Sequence, residues 1–299
     1  MLPEEVLEKY YLAGKIAAKV REEMKGIIRE DMLIIDICEK AEDLIKSLGG
    51  KPAFPCNVSI NEIAAHYTSP LGDKRSVPEN SVVKIDIGVH IDGYIADTAA
   101  TVCFNPEYED LVYTAEAALR KAISLIRPGF SISQLGSEIQ RVINEKGFKP
   151  ISNLTGHQIG RYLIHAGKTL PNVAHFSTAK IDLEEIYAIE PFVTLTDAVG
   201  RVGNRPETYI FRLVKRKSLK HPESKHLLKY IETNFRTLPF AERWLYRYTS
   251  KSRNDEAFLE LLSSKSLMAY PVFVEESEKV VAQAEHTILV EKEGARVLT

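Results

Sequence analysis

The sequence repeats one pattern at a constant distance, and this repeat narrows the possible folds more than any other feature. Residues 29–52 align with residues 127–150 at an offset of 98. In both copies apolar residues recur every three or four positions, which predicts an amphipathic helix. Each copy then reaches a glycine suited to a helix C-terminus, Gly49 or Gly147, with a proline three residues later. We therefore predict a duplicated α+β half, with a cleft between two pseudo-symmetric copies.

The composition is that of an ordinary globular protein. Of 299 residues, 44% are hydrophobic and 27% are charged, and the net charge is -2. These values exclude an intrinsically disordered chain and give no overall sign of nucleic-acid or membrane binding. The three cysteines lie far apart, the first residues lack a signal-peptide pattern, and no apolar run approaches the ~18 residues of a membrane span. We expect a cytoplasmic monomer with no membrane partner.

Two acidic residues lie in the segment between the repeats, where strands are expected. Residues 81–104 alternate and are rich in Val and Ile, which predicts two strands joined by a turn at Asp92-Gly93. Asp86 and Asp97 lie on the two arms, although strand interiors disfavour Asp. Their carboxylates would destabilise the hairpin unless a positive charge lay between them.

The predicted strands of the second half also contain acidic residues among apolar ones. Glu190 in YAIEPF and Glu285 in AQAEHT are embedded in apolar strands, where an unpaired carboxylate would cost several kcal/mol or become protonated. His157 follows a glycine in NLTGHQIG. Four carboxylates and one imidazole suit a pair of divalent ions such as Mn, Co, Fe or Zn. We therefore predict a two-metal site, whose ions share carboxylates and activate a water molecule.

A segment with a different composition and residue pattern follows in the second half. Residues 200–272 are polar with helical patterns, and we predict that they form a helical, winged-helix-like insertion. The catalytic domain would then comprise residues 1–199 and 273–299. Residues 201–230 contain nine basic residues and two acidic ones, Glu207 and Glu223. The basic residues are Arg201, Arg205, Arg212, Lys215, Arg216, Lys217, Lys220, Lys225 and Lys229.

Several motifs together resemble one known family. KIDIGVHIDGYIADTA, NLTGHQIGRYLIHAG, AIEPF and AQAEHTI are similar to segments of the type II methionine aminopeptidases. FPCNVSINEIAAHYTSPLGD resembles that family's substrate-side segment, and the insertion resembles its helical subdomain. The resemblance implies the pita-bread fold, in which two pseudo-symmetric α+β halves surround a central antiparallel sheet. It also implies removal of the initiator methionine from nascent polypeptides when the next residue is small.

The resemblance further implies roles for five metal ligands. Asp97 and Glu285 would bridge the two ions, Asp86 would bind one ion, and His157 with Glu190 would bind the other. Glu190 would also take a proton from the attacking water.

The resemblance implies a substrate site beside these ligands. His66 and His165, which the internal repeat aligns at an offset of 99, would contact the substrate and assist catalysis. Pro191, Ala284 and Cys56 replace residues that are usual in the family, which leaves the shape of the pocket open. The methionine pocket would be walled by Phe54, Ile164, Phe192 and Tyr270.

The sequence also leaves alternative functions open. A proline dipeptidase of the same fold would use the same ligands, although such relatives usually carry a large extra N-terminal domain. A catalytically inactive relative that binds RNA or protein would be expected to lose ligands, and all five are present. The basic run at 201–230 suggests weak contact with ribosomal RNA, although such runs are more often simply solvated.

Overall fold

The computed structural model describes the backbone of residues 2–246 and 251–299 and the side chains of residues 2–246 and 256–299. The helices are α1 (Glu4–Ile27), α2 (Ile34–Ser47), α3 (Glu109–Leu125), α4 (Ile132–Glu145), α5 (Pro222–Asn234), α6 (Glu242–Leu245) and α7 (Lys251–Ser263), with a short 3-10 helix at Pro106–Tyr108. The strands are β1 (Lys51–Pro52), β2 (Asn57–Ile60), β3 (Ile63–Ala65), β4 (Val82–Ile91), β5 (Tyr94–Cys103), β6 (Lys149–Pro150), β7 (Thr155–Gln158), β8 (Thr169–Pro171), β9 (Ile186–Ile189), β10 (Phe192–Thr194), β11 (Val202–Leu213), β12 (Phe240–Ala241), β13 (Leu267–Glu275), β14 (Val281–Gln283), β15 (His286–Glu291) and β16 (Gly294–Val297). Within the described ranges, no helix has the length and apolar character needed to cross a bilayer.

The internal repeat predicted from the sequence is confirmed. Helices α2 and α4 each contain 14 residues, and their first residues are 98 positions apart. Each is followed by a glycine with positive φ, +87° at Gly49 and +82° at Gly147, a conformation that ends many helices and that glycine adopts without strain. Strands β1 and β6 follow at the same offset. The two copies bury their apolar faces in separate cores, one in each half of the molecule.

The first half is built on the predicted hairpin. Strands β4 and β5 pair along their whole length and turn at Asp92-Gly93, where both residues have positive φ. Strand β4 also pairs with β1 and β2. Helices α1 and α2 cover this sheet, and residues such as Val20 and Ile37 are fully buried against it.

The second half packs α3 and α4 over two further antiparallel sheets, ordered β14-β10-β6 and β16-β15-β9-β7-β8. Threonine side chains connect it to the hairpin of the first half. The Thr98 hydroxyl donates to the Glu285 carbonyl at 2.8 Å. The Thr101 hydroxyl donates to the Gln283 carbonyl at 2.6 Å. The strands that carry the unusual acidic residues are therefore held side by side at the centre of the molecule.

The strands that carry Glu190 and Glu285 are interrupted, whereas the sequence analysis placed both residues inside continuous strands. Glu190 lies between β9 and β10, and Glu285 lies between β14 and β15. Pro191 has no N–H to donate to a ladder, and its carbonyl accepts only a long 3.4 Å bond from Ala284. The pairing of β9 with β15 and the pairing of β10 with β14 have the same register on the two sides of the break. Glu190 and Glu285 therefore lie opposite each other.

The segment 200–272 contains more strand than the helical interpretation expected. The long strands β11 and β13 pair with each other, and β13 continues the pairing to β3 in the first half. Helices α5, α6 and α7 belong to a separate apolar cluster that includes Phe211, Leu227, Phe240 and Leu261. The subdomain boundaries and its winged-helix character stay predictions.

Candidate metal centre

A cavity of about 230 Å³ lies where the two halves and the segment 200–272 meet. Its walls combine acidic and imidazole side chains with apolar ones. The structure brings together every residue that the sequence analysis assigned to the site. These are Phe54, His66, Asp86, Asp97, His157, Ile164, His165, Glu190, Phe192, Tyr270 and Glu285.

The hairpin presents two carboxylates to this cavity. Asp86 pairs with Ala99 and Asp97 pairs with Gly88, so the two acids are diagonal neighbours on one face of the ladder. Asn57 on β2 pairs with Asp86 and also lines the cavity. The anticipated closeness of the two acids is therefore confirmed, with an offset of two residues rather than direct opposition.

The second half completes the cluster around Asp97. One ligand atom from each of Asp97, His157 and Glu285 lies within 4.8 Å of the other two, and all three residues are buried. The Nε2 atom of His157, on β7, is 3.7 Å from Asp97 Oδ2 and 3.5 Å from Glu190 Oε1. Four separate strands or strand ends therefore direct donor atoms at one small volume.

The electrostatics of the cluster are unfavourable without a cation. Burial raises the pKa of Asp86 to about 7. Burial and then the charges of Asp86 and Glu190 raise the pKa of Asp97 well above its usual value. The pKa values of Glu190 and Glu285 are also raised well above normal, first by burial and then by neighbouring carboxylates. Burial lowers the pKa of His157 to about 3, so its imidazole is neutral and free to bind a metal.

The donor set fits divalent ions. Asp86 Oδ1 and Asp97 Oδ1 are buried without a hydrogen-bond partner, and such atoms are costly unless something binds them. The buried Lys84 does not neutralise the acids, because its ammonium donates to the carbonyls of Asn61 and Val281. Oxygen and imidazole ligands are those preferred by Mn, Co, Fe and Zn.

The two repeat-related histidines flank the cluster. The His165 ring lies 4.3 Å from that of His157. His66 has a φ of +64°, an uncommon conformation for a residue with a Cβ, and its Nδ1 lies 3.3 Å from the Pro271 carbonyl. Burial lowers the pKa of both histidines, that of His66 to about 4. Both imidazoles are therefore neutral at pH 7 and can donate one N–H each.

An apolar wall adjoins the acidic and imidazole cluster. Phe54, Ile164 and Phe192 are buried, and Tyr270 is partly buried. The Phe54 ring lies against the backbone of Gly88, where an added Cβ would be only 2.2 Å from the ring. Any side chain at position 88 would displace this part of the wall.

Several residues that line the cavity were not predicted from the sequence. Phe273 contacts the His66 ring at 4.5 Å between ring centres. Ile210 and Pro239 come from the segment 200–272, from which only Tyr270 was expected to reach the site. Strand pairing places Ile210 and Phe273, Pro239 directly precedes β12, and no local motif marks any of the three. The remaining lining residues are Asn57, Ala65, Asn153, Leu154 and Thr155.

Comparisons with known proteins agree with this geometry. The profile of metallopeptidase family M24 matches residues 8–292. The chain belongs to metallopeptidase family M24. This M24 metallopeptidase is similar to the methionine aminopeptidase of Methanothermobacter thermautotrophicus, with 42% identity over 297 residues that cover 98% of this chain and 99% of that protein. The resemblance stated from the sequence motifs is confirmed.

Solved structures show the same fold. The methionine aminopeptidase of Thermotoga maritima has a TM-score of 0.72 at 23% identity, covering 99% of this M24 metallopeptidase and 97% of that chain. A thermophilic Arx1 has a TM-score of 0.84 at 19% identity, covering 100% and 91% of the respective chains. The predicted pita-bread fold of this M24 chain is therefore confirmed.

Metal binding should depend on pH. We expect the difference in thermal midpoint between Mn²⁺-loaded and chelated protein to widen as the pH rises from about 6 to 8. In the chelated protein Asp86 and Asp97 have raised pKa values, so folding is favoured while these acids stay protonated. This stabilisation is lost as the pH rises through the raised pKa values, and the free energy of unfolding of the chelated protein falls. A bound ion replaces those protons. Differential scanning calorimetry measures the difference. It should widen less in Asp86→Asn, and a difference independent of pH would contradict the assignment.

Proposed function

We propose that this chain removes the N-terminal methionine from nascent polypeptides when the next residue is small. The observation that carries the proposal is the apolar wall directly beside the buried Asp97, His157 and Glu285 group. Such a cavity can enclose one unbranched apolar side chain next to a hydrolytic centre. Relatives at 42% identity over nearly the whole chain bear the name methionine aminopeptidase, which supports the same activity here.

Five side chains that line the cavity would hold the ions in the proposed site. They are Asp86, Asp97, His157, Glu190 and Glu285. When bound, the ions would polarise the substrate carbonyl and lower the pKa of a water molecule so that it can attack. The ions can be Co, Mn, Fe or Zn, because this donor set suits each of them.

Glu190 would act as the general base of the proposed reaction. Its carboxylate faces the cavity, with Oε1 at 3.5 Å from His157 Nε2. From this position it would take a proton from the attacking water and pass it to the nitrogen of the leaving amine. This transfer balances the reaction, because the departing chain leaves with a neutral amine.

His66 and His165 would stabilise the developing charge. Each imidazole is neutral and borders the cavity from a different half of the molecule. His165 can donate its N–H to the carbonyl oxygen, and such a bond strengthens as charge develops. His66 donates its Nδ1–H to the Pro271 carbonyl, so its Nε2 would accept a hydrogen bond from the N–H of the scissile amide. Phe54, Ile164 and Phe192 would exclude water and hold the methionine side chain.

One experiment separates the proposed activity from its nearest rival. Purified protein would be supplied with Mn²⁺ or Co²⁺ and assayed on Met-Ala-Ser and on Ala-Pro. We expect release of methionine from the first peptide and no cleavage of the second. Cleavage of Ala-Pro alone would identify a proline dipeptidase, and no cleavage of either would favour an inactive binding relative.

Weak contact with ribosomal RNA is a further part of the proposal, and an exposed basic surface supports it. Lys217, Lys225 and Lys229 surround a surface hollow of about 430 Å³ on the segment 200–272, together with Arg216, which is paired with Glu232. Contact with phosphates there would keep a cytoplasmic, monomeric enzyme near emerging N-termini. Arg205 does not extend this surface, because it lies near Glu62 and Glu278.

Co-sedimentation with ribosomes across a salt series would test this contact. We expect binding at low salt that weakens steeply as salt rises, since each phosphate contact releases bound counterions. Reversing the charges of Lys217, Lys225 and Lys229 should abolish co-sedimentation and leave peptide hydrolysis intact. Absence of low-salt binding in the unaltered protein would contradict the contact.

A further inference from the structure

Arg212 lies on strand β11, two residues beyond Ile210, which lines the cavity. Alternate residues of a strand share a face. Ile210 pairs with Tyr270, and both line the cavity, whereas Arg212 pairs with Met268. Met268 is 38% exposed, so the second pair lies where this wall reaches solvent. We call the pair Arg212 and Met268 the exit ledge.

The positive charge of the exit ledge lies beside two uncharged groups, the Tyr270 hydroxyl and the Met268 sulfur. An Arg212 guanidinium nitrogen, Nη2, lies 3.9 Å from the Met268 sulfur, which is uncharged and does not neutralise it. Among the side chains that the structure describes, no carboxylate forms an ion pair with Arg212. The charge also acts towards the cavity, because after burial it is the next cause that lowers the pKa of His165.

A substrate bound as proposed would pass this ledge. The first residue lies among the buried ligands and the apolar wall, so the rest of the chain must leave through the side open to solvent. Exposure rises along the wall formed by β11 and β13, from Ile210 at 3% through the partly exposed Tyr270 to Met268 at 38%. An extended chain advances about 3.3–3.6 Å per residue, and two residues of β11 span a similar ~7 Å. The third or fourth substrate residue would therefore lie beside Arg212.

We propose that Arg212 is a specificity-determining residue that favours substrates with an acidic side chain at the third or fourth position. This inference rests on the proposed function, since it assumes that a peptide enters with its N-terminus first. A carboxylate there would pair with the guanidinium, and a lysine would be repelled by it. The Met268 side chain would pack against the aliphatic part of the same substrate residue.

Peptides that differ in one charge test the preference. The series is Met-Ala-Xaa-Ser-amide and Met-Ala-Ser-Xaa-amide, with Xaa as Glu, Gln or Lys. The C-terminal amide removes a terminal carboxylate that could itself bind Arg212. At low salt we expect kcat/KM for Glu to exceed that for Lys by about 5-fold at one of the two positions, mainly through KM. The ratio should approach one in about 0.5 M salt.

Variants at one position separate this preference from general effects. Arg212→Gln should bring the Glu-to-Lys ratio close to one, and Arg212→Glu should invert it. Lys40→Glu makes the same charge reversal on the exposed surface of α2 and should keep the ratio of the unaltered protein. The ratio is measured within each variant, so a general loss of activity or stability cancels.

The outcomes for the two proposals are distinguishable. If the Gln peptides are not cleaved by the unaltered protein, the proposed function fails. If they are cleaved but the ratio is the same with Arg, Gln or Glu at position 212, the role of Arg212 is overturned. If Arg212→Glu does not fold, Arg212→Gln still decides, because a ratio unchanged by that variant overturns the inference.

Discussion

Replacing Glu190 with glutamine should lower kcat for Met-Ala-Ser by at least about 100-fold, the usual contribution of a positioned general base. An amide keeps one oxygen in place and cannot accept the proton. The same change removes one negative charge that raises the pKa of Asp97. The chelated variant should therefore be as stable as the chelated unaltered protein, or more stable. Steady-state kinetics, elemental analysis of bound metal and thermal unfolding in chelator provide the three measurements.

A matched control distinguishes the base from a general effect of removing a carboxylate. Glu293→Gln makes the same chemical change in the exposed turn after β15 and should leave kcat unchanged. The assignment of Glu190 would be wrong if its glutamine variant, folded and carrying the same metal content, turned over substrate at a near-normal rate.

Of the stability losses predicted for this protein, the largest should follow the replacement of Arg243 by methionine. Arg243 on α6 and Glu42 on α2 form an ion pair whose side chains are only 2% and 3% exposed. Arg243 also donates to the Thr68 hydroxyl at 2.7 Å and the Ser69 carbonyl at 3.1 Å. Arg243→Met would leave the Glu42 carboxylate buried without its cation, and we expect a loss of about 3–5 kcal/mol in the free energy of unfolding.

A double-mutant cycle tests the cause of this loss. Glu42→Leu combined with Arg243→Met removes both charges and should recover much of the stability, because no unpaired charge remains. Arg216→Met is the control, since Arg216 pairs with Glu232 while 78% exposed and should cost under about 1 kcal/mol. Urea unfolding of metal-loaded protein gives each value. A cost for Arg243→Met no larger than the control would contradict the prediction.

The sequence determined the parts of the molecule that depend on local pattern. The apolar spacing and the following glycines predicted α2 and α4, because helix periodicity and its termination are properties of neighbouring residues. The alternation around Asp92-Gly93 predicted the hairpin for the same reason. The five acidic and imidazole residues were also found from the sequence, since Asp and Glu within apolar strands are chemically conspicuous. Their roles as ligands remain proposals.

The tertiary structure alone decided how distant segments meet. Helical patterns in the segment 200–272 hid strands β11 and β13. Strand β11 pairs with β13, and β13 pairs with β3, which lies far away in the chain. The burial of Arg243 against Glu42 joins residues 201 positions apart, so no local pattern marks it. The same holds for Arg212, which the sequence placed in a basic run and the structure places beside the cavity. A side chain's environment is set by contacts between distant segments, and a short window of sequence contains no record of them.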